Sequence, residues 1–211
     1  MKVALVNGSP HKNGCTYTAL CEVAKTLNEE GIETEIFWIG PKALSGCIAC
    51  KSCVSKGECV FDDTVNEFRE IAKECDGFVF GSPVHYAGIS GAMTSFMDRL
   101  FYSDFCGNGN KTFYMKPAAC VISARRAGTT ATFDQMNKYF TIQEMPIVSS
   151  RYWNMVYGAK PEDVKQDLEG VYTMRVLGRN MAFMLKCKDI AMKNGVELPK
   201  QETPVFTNFI R

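Results

Sequence analysis

The chain has 211 residues, of which 46% are apolar and 22% are charged. Its 24 basic and 23 acidic side chains leave a net charge of +1, so no excess of positive charge attracts nucleic acid or an acidic membrane surface. No stretch approaches the roughly 20 apolar residues that span a bilayer, and Val3 to Val6 is too short for a signal peptide. We therefore expect a cytoplasmic protein that binds small molecules.

Short apolar runs alternate with helical patterns along the chain. Four runs lack the alternation of a half-exposed strand and predict buried strands, with a weaker fifth after them: Val3 to Val6, Thr34 to Ile39, Gly77 to Phe80, Ala118 to Ile122 and, fifth, Ile147 to Ser149. The predicted helices are Thr16 to Glu30, Val65 to Lys73, Gly91 to Phe101, Thr130 to Phe140, and Glu162 to Asn194 with a break near Gly170 or Gly178.

This alternation predicts an α/β fold, a doubly wound five-stranded parallel sheet with helices on both faces. We expect one domain over residues 1–211. Two segments depart from the alternation. One is a cysteine-rich excursion at residues 41–62, and the other is a C-terminal helical extension at about residues 161–195.

The first loop, Asn7 to Thr16, leaves a buried strand and leads directly into a helix. Its backbone N–H groups should converge where the helix dipole favours an anion. The loop has neither a Walker A sequence nor the Gly-x-Gly-x-x-Gly spacing of a dinucleotide site, so a monophosphate is the better fit. An ordinary strand-to-helix turn is the alternative, and the loop alone favours neither.

Two more loops of this kind follow the third and fourth strands. Residues 81–91 begin with another Gly-Ser-Pro turn and carry His85 and Tyr86, which are flat side chains suited to lie beside a flat ring. Residues 123–130 contain Gly128 and open a helix. In parallel sheets such loops meet at the carboxyl edge, where ligands bind. A phosphate at one end and a ring system at the other indicate flavin mononucleotide, FMN.

Three sequence stretches carry a resemblance to a known family: Val-Asn-Gly-Ser-Pro-His-Lys-Asn-Gly-Cys-Thr, Gly-Ser-Pro-Val-His-Tyr-Ala-Gly-Ile-Ser-Gly and Ser-Ala-Arg-Arg-Ala-Gly-Thr-Thr. With Gly-Cys-Ile-Ala-Cys through Asp62-Asp63, they resemble the flavodoxin-like NAD(P)H-dependent FMN reductases, and more closely the iron-sulfur flavoprotein branch. The resemblance covers about residues 1–160. It implies a flavodoxin-like fold, bound FMN and NAD(P)H as co-substrate.

The resemblance also implies which residues bind FMN. The phosphate would be held by the first loop, at Ser9, Lys12, Gly14, Cys15 and Thr16. The ring and the ribityl chain would be bordered by Pro83, Val84, His85, Tyr86 and Gly88. The other side of the ring would be closed by Ser123, Ala124, Arg126, Gly128 and Thr129. Members of the family often have Arg at the position of His11 and Asn at the position of Cys15, so this chain departs from the pattern there.

The excursion carries four cysteines within thirteen residues, Cys47, Cys50, Cys53 and Cys59. Disulfides rarely persist in a reducing compartment, so a metal, a cluster or redox chemistry is the expected reason for such a run. The spacing Cys-x2-Cys-x2-Cys-x5-Cys suits a 4Fe-4S cluster, whereas zinc prefers two separated pairs. The pattern resembles that of iron-sulfur flavoproteins, but simple FMN reductases also keep cysteine-rich loops. A cluster and free thiols therefore both stay open.

Three functions are compatible with these residues. The first, our working hypothesis, is an FMN-dependent oxidoreductase that takes hydride from NAD(P)H and reduces a small acceptor such as a flavin or quinone. The second is an electron carrier whose 4Fe-4S cluster takes electrons from a donor such as ferredoxin and passes them to FMN. The third, of another class, is a non-catalytic module that binds a ligand or a metal. Hydride transfer to a flavin needs no acid or base, so no side chain is assigned a catalytic role.

A set of aromatic residues lies outside the predicted core strands. The resemblance implies a homodimer or homotetramer with FMN near a subunit boundary. The interface candidates are Phe101, Tyr102, Phe105, Tyr152 and Trp153, with core packing as the alternative for each.

Overall fold

The computed structural model describes residues 1–209 and has a central parallel sheet. Its five parallel strands are β1 (Lys2–Asn7), β2 (Glu33–Trp38), β3 (Gly77–His85), β5 (Ala118–Ala124) and β6 (Met155–Tyr157), in the order β2-β1-β3-β5-β6. A two-residue strand, β4 (Gly88–Ile89), pairs antiparallel with the end of β3. Counting parallel strands alone, this is the flavodoxin-like order 2-1-3-4-5. The predicted fold class is confirmed.

Helices cover both faces of the sheet. One face carries α3 (Thr64–Lys73), α4 (Gly91–Asn108) and α5 (Thr129–Ile142). The other face carries α1 (Cys15–Glu29), α6 (Pro161–Gln166) and α7 (Leu168–Lys193). The short helix α2 (Ser52–Lys56) lies inside the cysteine-rich excursion and packs against α4. In the part of the chain that the structure describes, no helix is both long and apolar enough to cross a membrane.

The central strands are buried on both faces, which explains their continuous apolar sequence. Every residue from Val3 to Asn7 and from Ala118 to Ala124 is buried. A cluster of phenylalanine rings fills the face under α3 and α4, where the ring centroids of Phe68 and Phe96 are 5.6 Å apart. Burying each such side chain contributes about 1.5–3 kcal/mol, so this core holds the strand ends, and the loops that follow them, in place.

The predicted fifth strand, Ile147 to Ser149, is wrong. Ile147 forms one isolated bridge with Ala118, and the edge strand of the sheet is β6. The chain leaves the sheet after Val148 and returns at Asn154, whose carbonyl accepts from Ile122 N at 2.9 Å. The Ser150 hydroxyl hydrogen-bonds the Asn154 side chain across this outward loop. A local bond of this kind competes with the ladder and interrupts the edge.

The long C-terminal helix breaks at Asp167, before either predicted glycine. The Asp167 carboxylate accepts from Gly170 N at 2.9 Å and so caps the start of α7. Gly178 lies within α7, where a Cβ would be 2.8 Å from the Thr26 side chain. That glycine therefore permits close packing of α7 on α1. The predicted helix ending at Phe101 also extends further, to Asn108.

Candidate functional site

The carboxyl ends of β1, β3 and β5 are adjacent, so the three loops predicted to bind FMN meet at one edge. Gly8 N donates to the Gly81 carbonyl at 2.8 Å and joins the first two loops. The buried Ser90 hydroxyl, which caps α4, donates to the Gly8 carbonyl at 3.0 Å. A Cβ on Gly128 would lie 2.7 Å from Ala87 Cα, so the second and third loops are in direct contact.

The first loop is held in shape by its own side chains. Asn7 Oδ1 accepts from Ser9 N at 3.1 Å, and Asn7 Nδ2 donates to the Lys12 carbonyl at 2.9 Å. Ser9 Oγ in turn accepts from His11 N at 3.1 Å. From β2, Trp38 Nε1 donates to the Ser9 carbonyl at 2.8 Å. A loop shaped before binding loses less conformational entropy when a ligand arrives.

Two helices at this edge begin without a side-chain cap. The N-cap residues of α1 and α5 are Gly14 and Gly128, and the first turn of each helix has no acidic residue. By contrast, Asp63 and Ser90 cap α3 and α4. Uncapped helix N-termini leave N–H donors free and carry partial positive charge, which suits an anion. The residues at this edge therefore fit the phosphate of FMN.

The predicted site residues form a buried base and an exposed rim. The base is formed by five buried residues: Ser9, Thr16, Ser123, Ala124 and Thr129. At the rim, Lys12, His85, Tyr86 and Arg126 are exposed. Between them lie the half-buried Gly14, Cys15, Pro83, Val84 and Gly88. Buried hydroxyl groups together with exposed flat or charged side chains match the chemistry of a phosphorylated ring compound.

Tyr86 and Ala87 form the turn between β3 and β4. Both have left-handed backbone angles, with φ of 50° and 58°, as a type I′ hairpin turn requires. Asn and Gly usually occupy these positions, so a Tyr-Ala pair costs of order 1 kcal/mol per residue in backbone strain. The Tyr86 side chain is fully exposed at the tip. Such strain is frequent at binding sites.

Burial raises the pKa of the Cys15 thiol, and nearby Asp163 raises it further. Its Sγ lies 3.5 Å from the Gly158 carbonyl, to which it donates. Cys15 therefore presents a neutral thiol at the start of α1, compatible with an anion nearby.

Tyr157 and Gly158, at the end of β6, also reach this site, and the sequence did not predict them. The Tyr157 hydroxyl is 3.1 Å from Thr129 Oγ1. Since the edge strand was predicted too early in the chain, the residues that follow the true strand were missed. Trp38 was missed as well, because it ends a strand whose loop carries no turn motif.

Thr16 and Ser123 join the first and third loops through a buried hydrogen bond of 2.8 Å between their hydroxyls. Valine at Thr16 leaves the Ser123 hydroxyl buried without this partner, which should cost about 1–3 kcal/mol of unfolding free energy. Urea denaturation measures it. Thr18→Val is the control, because Thr18 Oγ1 bonds only a carbonyl of its own helix turn, Gly14 O, at 3.1 Å. An equal loss of unfolding free energy in both variants would contradict the added cost of the unpaired Ser123 hydroxyl.

All four cysteines of the excursion line one small cavity. Its other lining residues are mainly apolar or aromatic, among them Ile48, Val60, Phe61 and Tyr102. Within residues 1–209, no three His, Cys, Asp or Glu side chains are close enough to hold a single metal ion. In a cubane each thiolate binds a different iron, so its ligands lie further apart than those of one ion. Four thiols around one cavity are the donor set of a 4Fe-4S cluster.

The thiols in this cavity differ in acidity. Burial raises the pKa of Cys53. At the exposed Cys50, hydrogen bonds from the hydroxyl and the backbone N–H of Ser52 lower the pKa. Between the cysteines, Ala49 and Lys51 have left-handed backbone angles, with φ of 53° and 58°. Alternating left-handed residues turn N–H groups inward, as in many iron-sulfur sites.

A buried arginine, Arg99 of α4, contacts this cavity and was not predicted. Its Nε donates to Cys59 Sγ at 3.1 Å, and its Nη atoms form two short contacts with the Asp63 carboxylate. One arginine inside a helical pattern gives no sequence signal for such contacts.

Of the five interface candidates, Phe101 is buried in the core, so the alternative of core packing holds for this residue. Its ring packs 4.9 Å from Phe113 and 5.5 Å from Phe80 between centroids. The other four, Tyr102, Phe105, Tyr152 and Trp153, are exposed. Phe101 and Phe105 are four residues apart on α4, and Phe101 is the one that faces the sheet.

Comparison with known proteins supports these observations. The family model described as NADPH-dependent FMN reductase matches residues 1–160. An iron-sulfur flavoprotein of Methanocaldococcus jannaschii is 34% identical over 192 residues, which is 88% of this chain and 98% of that protein.

Among solved structures, RosB with a bound 8-demethyl-8-formylriboflavin-5'-phosphate intermediate superposes with a TM-score of 0.70. It is 15% identical, and the match covers 100% of this chain and 94% of RosB. A flavodoxin from the domain Archaea has a TM-score of 0.56 at 16% identity, over 88% of this chain and 99% of the flavodoxin. At such identities these two show the fold. The resemblance stated from the sequence is confirmed, and the chain belongs to the NADPH-dependent FMN reductase family.

Proposed function

We propose that the protein is an iron-sulfur flavoprotein, which holds FMN at the three loops and a 4Fe-4S cluster at Cys47, Cys50, Cys53 and Cys59. The observation that carries the proposal is the single cavity lined by all four cysteines. The name of the 34% identical relative, an iron-sulfur flavoprotein matched over 98% of its length, supports the same reading. This gives preference to the second of the three functions drawn from the sequence.

FMN accepts and releases one or two electrons, and a 4Fe-4S cluster exchanges one at a time, so the pair would connect one-electron and two-electron chemistry. The chain supplies position and charge. The first loop and the N-terminus of α1 would hold the phosphate, aided by Ser9 and Thr16. The hairpin tipped by Tyr86 would border one side of the ring, and residues 123–129 would close the other. The four cysteines would ligate the cluster, fed by a donor such as ferredoxin.

A second candidate is the working hypothesis stated under the sequence analysis. In it, the protein is an oxidoreductase that takes hydride from NAD(P)H and reduces a small acceptor through FMN. The family description, NADPH-dependent FMN reductase, favours it. The rim side chains Lys12, His85, Tyr86 and Arg126 are exposed, so a nicotinamide and then an acceptor would reach this edge from solvent.

We also propose that the protein is a homodimer or homotetramer. The exposed rings of Tyr102, Phe105, Tyr152 and Trp153 support this, since large aromatic side chains are enriched at interfaces. Sedimentation equilibrium of the wild-type protein tests it, and a monomer at micromolar concentration would refute it.

Metal and flavin analysis of anaerobically purified protein tests the proposed function. We expect one FMN per chain, four iron and four sulfide atoms, and a broad absorption near roughly 400 nm beside the flavin bands. Flavin bands without iron or sulfide, together with rapid bleaching by NADH or NADPH in stopped flow, would support the second candidate instead. A colourless protein that does not bind added FMN would overturn both.

A further inference from the structure

Arg99 is the largest fully buried side chain of the described residues, and its position is unusual for a cation. It lies on the core-facing side of α4, and its side chain has 0% exposure. Removing a guanidinium from water costs several kcal/mol unless its donors are paired. The neighbours of Arg99 therefore have to supply a full set of acceptors.

Every nitrogen of the Arg99 guanidinium has an acceptor. Nη1 donates to Asp63 Oδ2 at 2.8 Å and to the Ser45 carbonyl at 3.3 Å. Nη2 donates to Asp63 Oδ1 at 2.9 Å and to the Phe61 carbonyl at 3.3 Å. The remaining Nε donates to Cys59 Sγ at 3.1 Å. The Phe61 ring covers one face of the plane, 4.8 Å from the guanidinium carbon.

These acceptors come from both ends of the cysteine-rich excursion. Ser45 lies just before the first cysteine, and Phe61 and Asp63 follow the last one. One planar group on a rigid helix therefore ties the entry and the exit of this segment together. The two-pronged pairing with Asp63 fixes the plane, and with it the direction of the Nε–H bond toward Cys59.

We propose that Arg99 is a positioning residue that holds Cys59 in place as the fourth cluster ligand and raises the reduction potential of the cluster through its Nε–H···S hydrogen bond. The inference rests on the proposed function. Reduction adds one electron to the cluster and its thiolates, and a donor fixed on a ligand sulfur stabilises the added negative charge. Asp63 offsets the formal charge of Arg99, so the local N–H dipole at the sulfur carries the effect.

Lysine at Arg99 keeps the positive charge but loses the fork and the Nε–H bond. We expect Arg99→Lys to lower the equilibrium constant for reduction of the cluster about tenfold. For one electron, this is a midpoint potential lower by about 59 mV. Redox titration followed by electron paramagnetic resonance of the reduced cluster measures the shift.

Asn66→Ala is the matched control. Asn66 also holds Cys59, since its Oδ1 accepts from Cys59 N at 3.1 Å and its Nδ2 donates to the Cys59 carbonyl at 2.9 Å. It touches the backbone and leaves the sulfur bond intact. We expect Asn66→Ala to lower iron content while the remaining clusters keep the wild-type potential.

A second measurement needs no variant to fold. Wild-type protein labelled with 15N at arginine Nε should show a nitrogen hyperfine coupling to the reduced cluster in pulsed electron paramagnetic resonance. Within residues 1–209, Arg99 is the one arginine that lines this cavity, so the coupling would be assigned to it.

Absence of the coupling in wild type, an unchanged potential in Arg99→Lys, or an equal shift in Asn66→Ala would overturn the inference and leave the cluster in place. Wild-type protein without iron and sulfide would overturn the proposed function, and this inference with it. If Arg99→Lys holds no cluster, the 15N coupling alone decides.

Discussion

Serine at any one of Cys47, Cys50, Cys53 or Cys59 is expected to remove most of the iron and inorganic sulfide while FMN stays at wild-type stoichiometry. Each cysteine lines the same cavity, so each variant removes one of the four proposed ligands. Losing a ligand should cost more than the roughly 10–100-fold affinity loss that follows changes around a metal ligand. The FMN loops are formed by other segments, at the ends of β1, β3 and β5, and should be unaffected.

Cys106→Ser is the matched control for these four variants. Cys106 lies on α4 and is close enough to Cys53 to raise the pKa of that thiol. It is outside the set of residues that line the cavity. We expect Cys106→Ser to keep wild-type iron and sulfide after anaerobic reconstitution. A loss equal to that of the other four variants, or full iron in any of those four, would contradict the assignment of ligands.

Alanine at Gly128 is expected to lower FMN affinity by roughly tenfold or more, because it forces the two ring-bordering loops apart. Gly128 has φ of +94°, where a non-glycine residue costs about 1–2 kcal/mol. A Cβ there would also lie 2.7 Å from Ala87 Cα and 2.9 Å from Val84 Cγ1. The steric overlap adds a destabilisation of about 1–3 kcal/mol. Each 1.4 kcal/mol by which the FMN-bound state is destabilised relative to the free protein lowers the affinity tenfold.

The control for Gly128→Ala is Gly31→Ala. Gly31 has a similar φ of +79°, but nothing lies within 4 Å of the position of its Cβ. It follows α1 at the opposite edge of the sheet. Fluorescence titration of apoprotein with FMN and thermal unfolding should show a similar backbone cost in both variants and weak FMN binding in Gly128→Ala alone. Weak binding in both would show that the effect arises from stability instead of loop contact.

The sequence predicts the central sheet well because its strands are buried on both faces. The runs Val3 to Val6 and Ala118 to Ile122 have no competing local structure, so an apolar run alone identifies them. The prediction of the edge strand is wrong because this part of the chain is partly exposed and has a competing local hydrogen bond. Ile147 is 40% exposed, and the bond between Ser150 and Asn154 turns the chain away before the ladder can continue.

The candidate sites divide in the same way. The three loops and the four cysteines are visible in the sequence, because Gly-Ser-Pro turns and cysteine spacing are local patterns. The role of Arg99 could not be predicted, because it contacts Asp63 and Cys59, which are 36 and 40 positions away in the sequence. The turn at Tyr86 and Ala87 is missed because these residues are unusual in a type I′ turn, and only pairing of β3 with β4 imposes it.

Helix α4 serves both sites at once. Ser90, its cap, hydrogen-bonds Gly8 in the first of the three loops, and Arg99 reaches the cysteine cavity nine residues later. At about 1.5 Å per residue, these two anchor points are roughly 13 Å apart along the helix axis. In the proposed function, α4 would set the separation between the flavin and the cluster, and with it the rate of electron transfer. Inserting one residue between the anchors would rotate Arg99 by about 100° around the axis, so the length of this segment is as constrained as its chemistry.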